Sequence, residues 1–128
     1  MMQLVFSYIE HKSQVIPVCF WKENHQLHPL TGYLNDPMGG LNYFAFLDKV
    51  LSILRDEDIQ QGDISSNSWG VEIHGEQVYF CFLFAQEDTS LHFALSRAVL
   101  IDILVLWLAF RSQAPVAGYQ EVLSFGEA

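Results

Sequence analysis

The chain has 128 residues, 51% of them apolar and 14% aromatic, which excludes wholesale disorder and supplies material for one core, so a single domain over residues 1–128 is expected. A formal net charge of −9 argues against nucleic acid and anionic lipid as direct ligands. Cys19 and Cys81 lie far apart, outside any CxxC pair and inside apolar runs, and read as reduced core thiols; the opening "MMQLVFSYIEHKS" lacks the basic and long apolar regions of an export signal, so a cytoplasmic location is expected.

In chain order, "LVFSYIEHKSQVIPVCFWK" alternates around the polar "HKSQ" and predicts two strands and a turn, with Pro17 confining the second strand to a sheet edge or an irregularity. Residues 23–40, "ENHQLHPLTGYLNDPMGG", carry the glycine, proline and asparagine of a long loop. "LNYFAFLDKVLSILRD" follows with Phe44, Leu47, Leu51 and Leu54 at helical spacing, widened by Phe46, Val50 and Ile53; Asp48, Lys49, Ser52 and Arg55 take the other side. This is an amphipathic helix with one buried face.

"WGVEIHGEQVYFCFLF" reads as a hairpin. With Gly75 and Glu76 at the centre of a type II′ turn, Ile73 pairs with Val78, Val71 with Phe80 and Trp69 with Phe82, all on one face. Glu72 opposite Tyr79 and Gly70 opposite Cys81 fall on the other, and a slip of one residue would destroy this segregation. "LHFAL" alternates again and is open to helix or strand. Ser96 stands at the N-cap position of "AVLIDILVLWLAF", residues 98–110.

That helix is too short for a bilayer, since thirteen helical residues reach about 20 Å against a hydrocarbon layer of about 30 Å; a central helix packed on several sides is expected instead. Asp102 inside it belongs either at the solvent edge of the stripe or buried against a donor such as Arg97 or His92. The helix should end near Gln113, and "YQEVLSF" is a last short strand. The order predicts an α+β fold, an antiparallel sheet packed against two main helices.

Charge is the uneven feature. Between Arg55 and Arg97 there is no Lys or Arg, while Asp56, Glu57, Asp58, Asp63, Glu72, Glu76, Glu87 and Asp88 all fall there. In "RDEDIQQGD" three acids follow a helix whose C-terminal end prefers cations, an arrangement that costs a few tenths of a kcal/mol or more and implies stability conceded for another purpose. A cationic partner would supply one, because clustered acids steer association and select basic surfaces. The plain alternative is a solvated acidic face with no partner.

No catalytic constellation accompanies this charge. His25 and His28 form an HxxH near Cys19 but lack the second half of a zinc pattern; Ser65, Ser66 and Ser68 form no nucleophile elbow, and phosphate and dinucleotide glycine motifs are missing. Neither an enzyme, a cofactor nor a metal is expected. Glu72 and His74, alternate residues of one strand, are the alternative acid and base of a small hydrolase.

The succession "FLDKVLSIL", "SNSWGVEI", "VYFCFLF" and "LVLWLAF" resembles bacterial immunity proteins of contact-dependent growth inhibition and related polymorphic toxin systems, over roughly residues 41–112. The N-terminal hairpin and "LTGYLNDPMGG" have no counterpart in the resemblance. It implies a non-enzymatic cytoplasmic inhibitor of a cognate toxin C-terminal domain. Many such toxins are nucleases, some cutting transfer RNA, and are basic where they hold the phosphate backbone. Each immunity protein fits its own toxin, so no binding residue transfers by resemblance. Asp56, Glu57, Asp58, Asp63, Glu72, Glu87 and Asp88 are assigned to the partner from charge alone.

Overall fold

A computed structural model describes residues 2–23, 27–36 and 43–126. The first hairpin is β1 (Met2–His11) and β2 (Gln14–Trp21), joined through Lys12 and Ser13, both at positive φ (49° and 65°), as a two-residue primed turn requires. β7 (Gln120–Phe125) pairs with the other side of β1, so this antiparallel sheet runs β2-β1-β7 and Pro17 does lie on an edge strand. A second antiparallel sheet runs β3-β4-β5-β6, from β3 (Gln61–Asp63), β4 (Trp69–His74), β5 (Gln77–Phe82) and β6 (Phe93–Ser96). The α+β class holds, with the strands divided between two sheets.

The β4–β5 register is the expected one, Ile73 to Val78, Val71 to Phe80 and Trp69 to Phe82. Only Gly75 of the two turn residues has positive φ (61°), as in a type II′ turn. The segment left open at 91–95 is resolved as β6 preceded by a single 3-10 turn, Thr89–Leu91.

Three α-helices complete the described residues: α1 (Pro29–Leu34), α2 (Tyr43–Arg55) and α3 (Arg97–Arg111). α1 corrects the loop reading of 23–40, of which residues 24–26 and 37–40 lie outside the described residues. Pro29 occupies the first helical position, and the His28 Nδ1 accepts the Leu30 N–H at 3.1 Å as an unusual N-cap. Gly32 is needed there because a Cβ would stand 2.4 Å from the Trp69 indole. α2 buries Leu47, Val50, Leu51 and Leu54 as its periodicity predicts.

α3 starts from the expected Ser96 cap, whose Oγ accepts the Val99 N–H at 3.1 Å. It is not packed on several sides. Leu100, Ile103, Leu104, Trp107 and Phe110 are buried, whereas Asp102, Val105, Leu106 and Ala109 are exposed, because α2 and the β1 sheet cover one flank only. Asp102 therefore sits at the solvent edge. Among the described residues no helix is long and apolar enough to cross a membrane.

One cluster of buried side chains links both sheets and all three helices. Tyr8 of β1 stacks on Phe110, and Phe6 meets Phe110 at a tilt and Trp107 at 4.9 Å; Tyr33 of α1 meets Phe80 of β5 edge-on. The Tyr8 hydroxyl donates to the Phe110 carbonyl and the Tyr33 hydroxyl to the Ile64 carbonyl at 2.6 Å, so both buried phenols are satisfied.

Candidate functional site

The second sheet turns one face to the core and leaves the other as a shallow groove of about 590 Å³. The hairpin register decides what lies there. Val71, Ile73, Val78 and Phe80 point inward, so Glu72 and Tyr79, directly opposite each other, point outward. β3 adds Asp63 opposite Glu72, and β6 adds Ala94 opposite Tyr79, which makes one cross-strand row of acid, acid, aromatic and alanine.

Gly70 shapes the next row. A Cβ on it would lie 2.8 Å from the Cys81 Sγ and 3.0 Å from Leu83, so the glycine lets both side chains fold across the sheet. Cys81 thus lines the groove, half-buried, and is not a core thiol; Cys19 is buried, and burial pushes its thiol well above the usual range. Both are free.

Asp63 and Glu72 carry like charges directly across the ladder, which is destabilising. The Ser65 side chain and its N–H, 2.9 Å from Asp63 Oδ1, hold the Asp63 carboxyl below the usual carboxylate range. Glu72 in turn meets His74, Oε2 to Nε2 at 3.1 Å, with the two side chains 62% and 50% exposed, so water screens the pair. Tyr79, 49% exposed, meets the His74 ring edge-on.

All seven acids assigned to a partner are exposed, and all belong to this sheet or the segments at its ends. Only Asp63 and Glu72 are brought together. Asp56, Glu57 and Asp58 lie at the hairpin-turn end, where Gly75 N–H bonds Gln60 O at 2.7 Å; Glu87 and Asp88 follow the opposite end of β5. Six-residue strands separate the two groups by about 20 Å. Asp88 caps the 3-10 turn through Ser90, whose side chain and N–H lower its carboxyl.

The acids after α2 do not mark a conceded helix end. Arg97, 5% exposed, extends its guanidinium across the end of α2, donating from Nε to Leu54 O (2.8 Å), from Nη1 to Ile59 O (2.6 Å) and Gly75 O (3.2 Å), and from Nη2 to Ile53 O (3.3 Å) and Asp56 O (2.8 Å). The terminal carbonyls therefore meet a cation supplied from α3. Arg97 is no donor to Asp102, and His92 Nε2 lies instead 2.7 Å from Gln86 O at the rim of the groove.

The serine cluster is structural. Ser66 Oγ and Ser68 N–H donate to the buried Asp36 carboxylate, while Ser65 Oγ accepts the Val71 N–H at 2.9 Å. Asp36, unremarkable in sequence, organises the entry to β4. His25 of the HxxH pair lies outside the described residues, and among those described no group of three His, Cys, Asp or Glu could hold a metal ion. The residues that sequence reasoning did not single out for the site are Tyr79 and Gly70, for which the outward register of 70 and 79 was the signal available.

A family model described as "Family of unknown function (DUF5376)" matches residues 2–128. The chain belongs to that family. A relative of this DUF5376 chain, "Uncharacterized protein PM0491" from Pasteurella multocida (strain Pm70), is 97% identical over 127 residues, covering 99% of this chain and 100% of the relative. No solved structure matches the DUF5376 chain.

Proposed function

We propose that the protein is a cytoplasmic immunity protein that neutralises a cognate basic toxin domain, a nuclease, by presenting the outer face of the β3-β4-β5-β6 sheet. The observation that carries this reading is the cross-strand row of Asp63, Glu72 and Tyr79. Two acidic residues in register on one exposed face, next to a half-exposed aromatic ring, suit a cationic side chain that is both paired and covered. The acids at both ends of the sheet extend the negative field and raise the association rate with a basic surface. The resemblance of residues 41–112 to immunity proteins supports the same reading.

The test is co-expression with the toxin domain that this reading expects to be encoded beside the gene. Replacing Asp63 and Glu72 with Lys removes protection while the circular dichroism spectrum is retained; full protection by the folded variant overturns the assignment of this face. A second reading, hydrolysis by the Glu72–His74 pair, rests on their 3.1 Å contact. It requires turnover of a screened substrate that His74→Ala abolishes.

A further inference from the structure

The two edges of the β2-β1-β7 sheet are finished differently. Lys22 N–H bonds Gln3 O at 3.1 Å, and Tyr8 N–H bonds Tyr119 O at 2.9 Å on the other side of β1. Alternation along the ladder then turns the backbone groups of Val15, Pro17, Cys19 and Trp21 outward on β2, and those of Gln120, Val122 and Ser124 outward on β7. The β2 edge is blocked. Pro17 has no N–H to offer, and the Asn35 side chain occupies Cys19, accepting its N–H at 2.8 Å and donating to its carbonyl at 2.5 Å. Among the described residues nothing pairs with the outward groups of β7.

We propose that a second copy of this chain pairs with β7 through its own β7, antiparallel about a two-fold axis at Val122. β7 is complementary to itself in that register. Val122 faces Val122, Gln120 faces Ser124, and each such pair exchanges both of its outward hydrogen bonds. Glu121, the strand's only charge, faces Leu123 of the second copy, so no like charges oppose each other across the axis. That matters in a chain of charge −9, whose acidic stretch lies on the other sheet and stays clear of this contact. The side chains of Ile9, Ile16, Val18 and Val122 lie on the face of this sheet opposite the core, beside Ser7, Gln120 and Ser124, and pairing at β7 makes that face continuous across both copies.

Sedimentation velocity and light scattering on the full chain decide this. The expected mass is twice the 14.6 kDa of one chain, reduced to one chain's mass by Val122→Pro, which removes an outward N–H, and by Val122→Lys, which opposes two ammonium groups. Circular dichroism establishes that at least one variant is folded. Ile9→Lys, on the same face but on β1, one strand in from the open edge, leaves the doubled mass unchanged if the edge is the contact. A wild-type protein that stays at single mass up to its solubility limit overturns the proposal. So does a folded Val122→Lys protein of doubled mass, or loss of the doubled mass in Ile9→Lys, which points to stacking of these sheet faces.

Discussion

Arg97, the first residue of α3, donates its Nε–H to the carbonyl of Leu54 at the end of α2, 2.8 Å away. The contact ties two helices to the β4–β5 turn, because the same guanidinium also reaches Ile59 and Gly75. It also explains how the acidic run after α2 is tolerated. The helix dipole is already answered from within, so Asp56, Glu57 and Asp58 are free to face solvent.

Arg97→Met keeps the packed stem and removes the donors. Several buried carbonyls then lack a partner, and stability to urea falls by about 3 kcal/mol. Arg97→Lys recovers only part of this, since one ammonium cannot span carbonyls that a planar fork reaches together. Equal stability of the Arg97→Met and wild-type proteins would contradict the assignment.

His28 predicts a pH dependence with a defined sign. Its ring lies between Trp21 (4.3 Å) and Phe93 (4.6 Å), and burial lowers its pKa from 6.5 to about 4. Above pH 6.5 it is neutral folded and unfolded, with no differential. As pH falls from 6.5 towards 4 the unfolded chain takes up a proton that the folded chain does not, and stability declines by about 1–2 kcal/mol after solvent screening of this half-buried ring. Protonation also removes the Nδ1 acceptor that caps α1. The measurement is the difference in urea stability between wild type and His28→Ser, which keeps a capping oxygen, across this range. Asp63 and Asp88, both lowered, lose their contributions in the more acidic carboxylate range, and they cancel in the difference.

Relief of the acid pair is measurable without any partner. Glu72→Gln removes the like charge opposite Asp63, and thermal stability rises by a few tenths of a kcal/mol, offset in part by the exposed His74 contact. The gain shrinks in high salt. A loss of stability at low salt would mean that the pair is not repulsive in the folded protein.

Gly32→Ala tests the close approach of α1 to β4. The added methyl meets the Trp69 ring at 2.4 Å, so either α1 or the indole must shift, at a cost of about 1–3 kcal/mol. Trp69 fluorescence and the urea midpoint both report it. Unchanged stability would show that α1 moves freely.

Residues whose partners are near in sequence were legible from the chain alone. The Gly75 turn sets the β4–β5 register, the stripe from Leu47 to Leu54 sets the buried face of α2, and Ser96 caps α3; in each case a periodicity or a short-range hydrogen bond carries the information. The outward row of Glu72 and Tyr79 follows from the same register. α1 was hidden because its six residues are fewer than two turns and rely on packing against Trp69 and Phe80, not on periodicity.

What the chain determined by itself was the set of local elements, the α+β class and the concentration of negative charge between Arg55 and Arg97. Tertiary structure decided the rest: the division of the strands into two sheets, the meeting of Asp63 with Glu72, the placement of Cys81 in a groove, the commitment of Arg97 to the end of α2, and the contrast between the blocked β2 edge and the open β7 edge. The physical reason is sequence separation. Arg97 and Leu54, Asn35 and Cys19, and Met2 and Phe125 interact across intervals that no local periodicity encodes, and only burial of both partners in one core makes those contacts favourable.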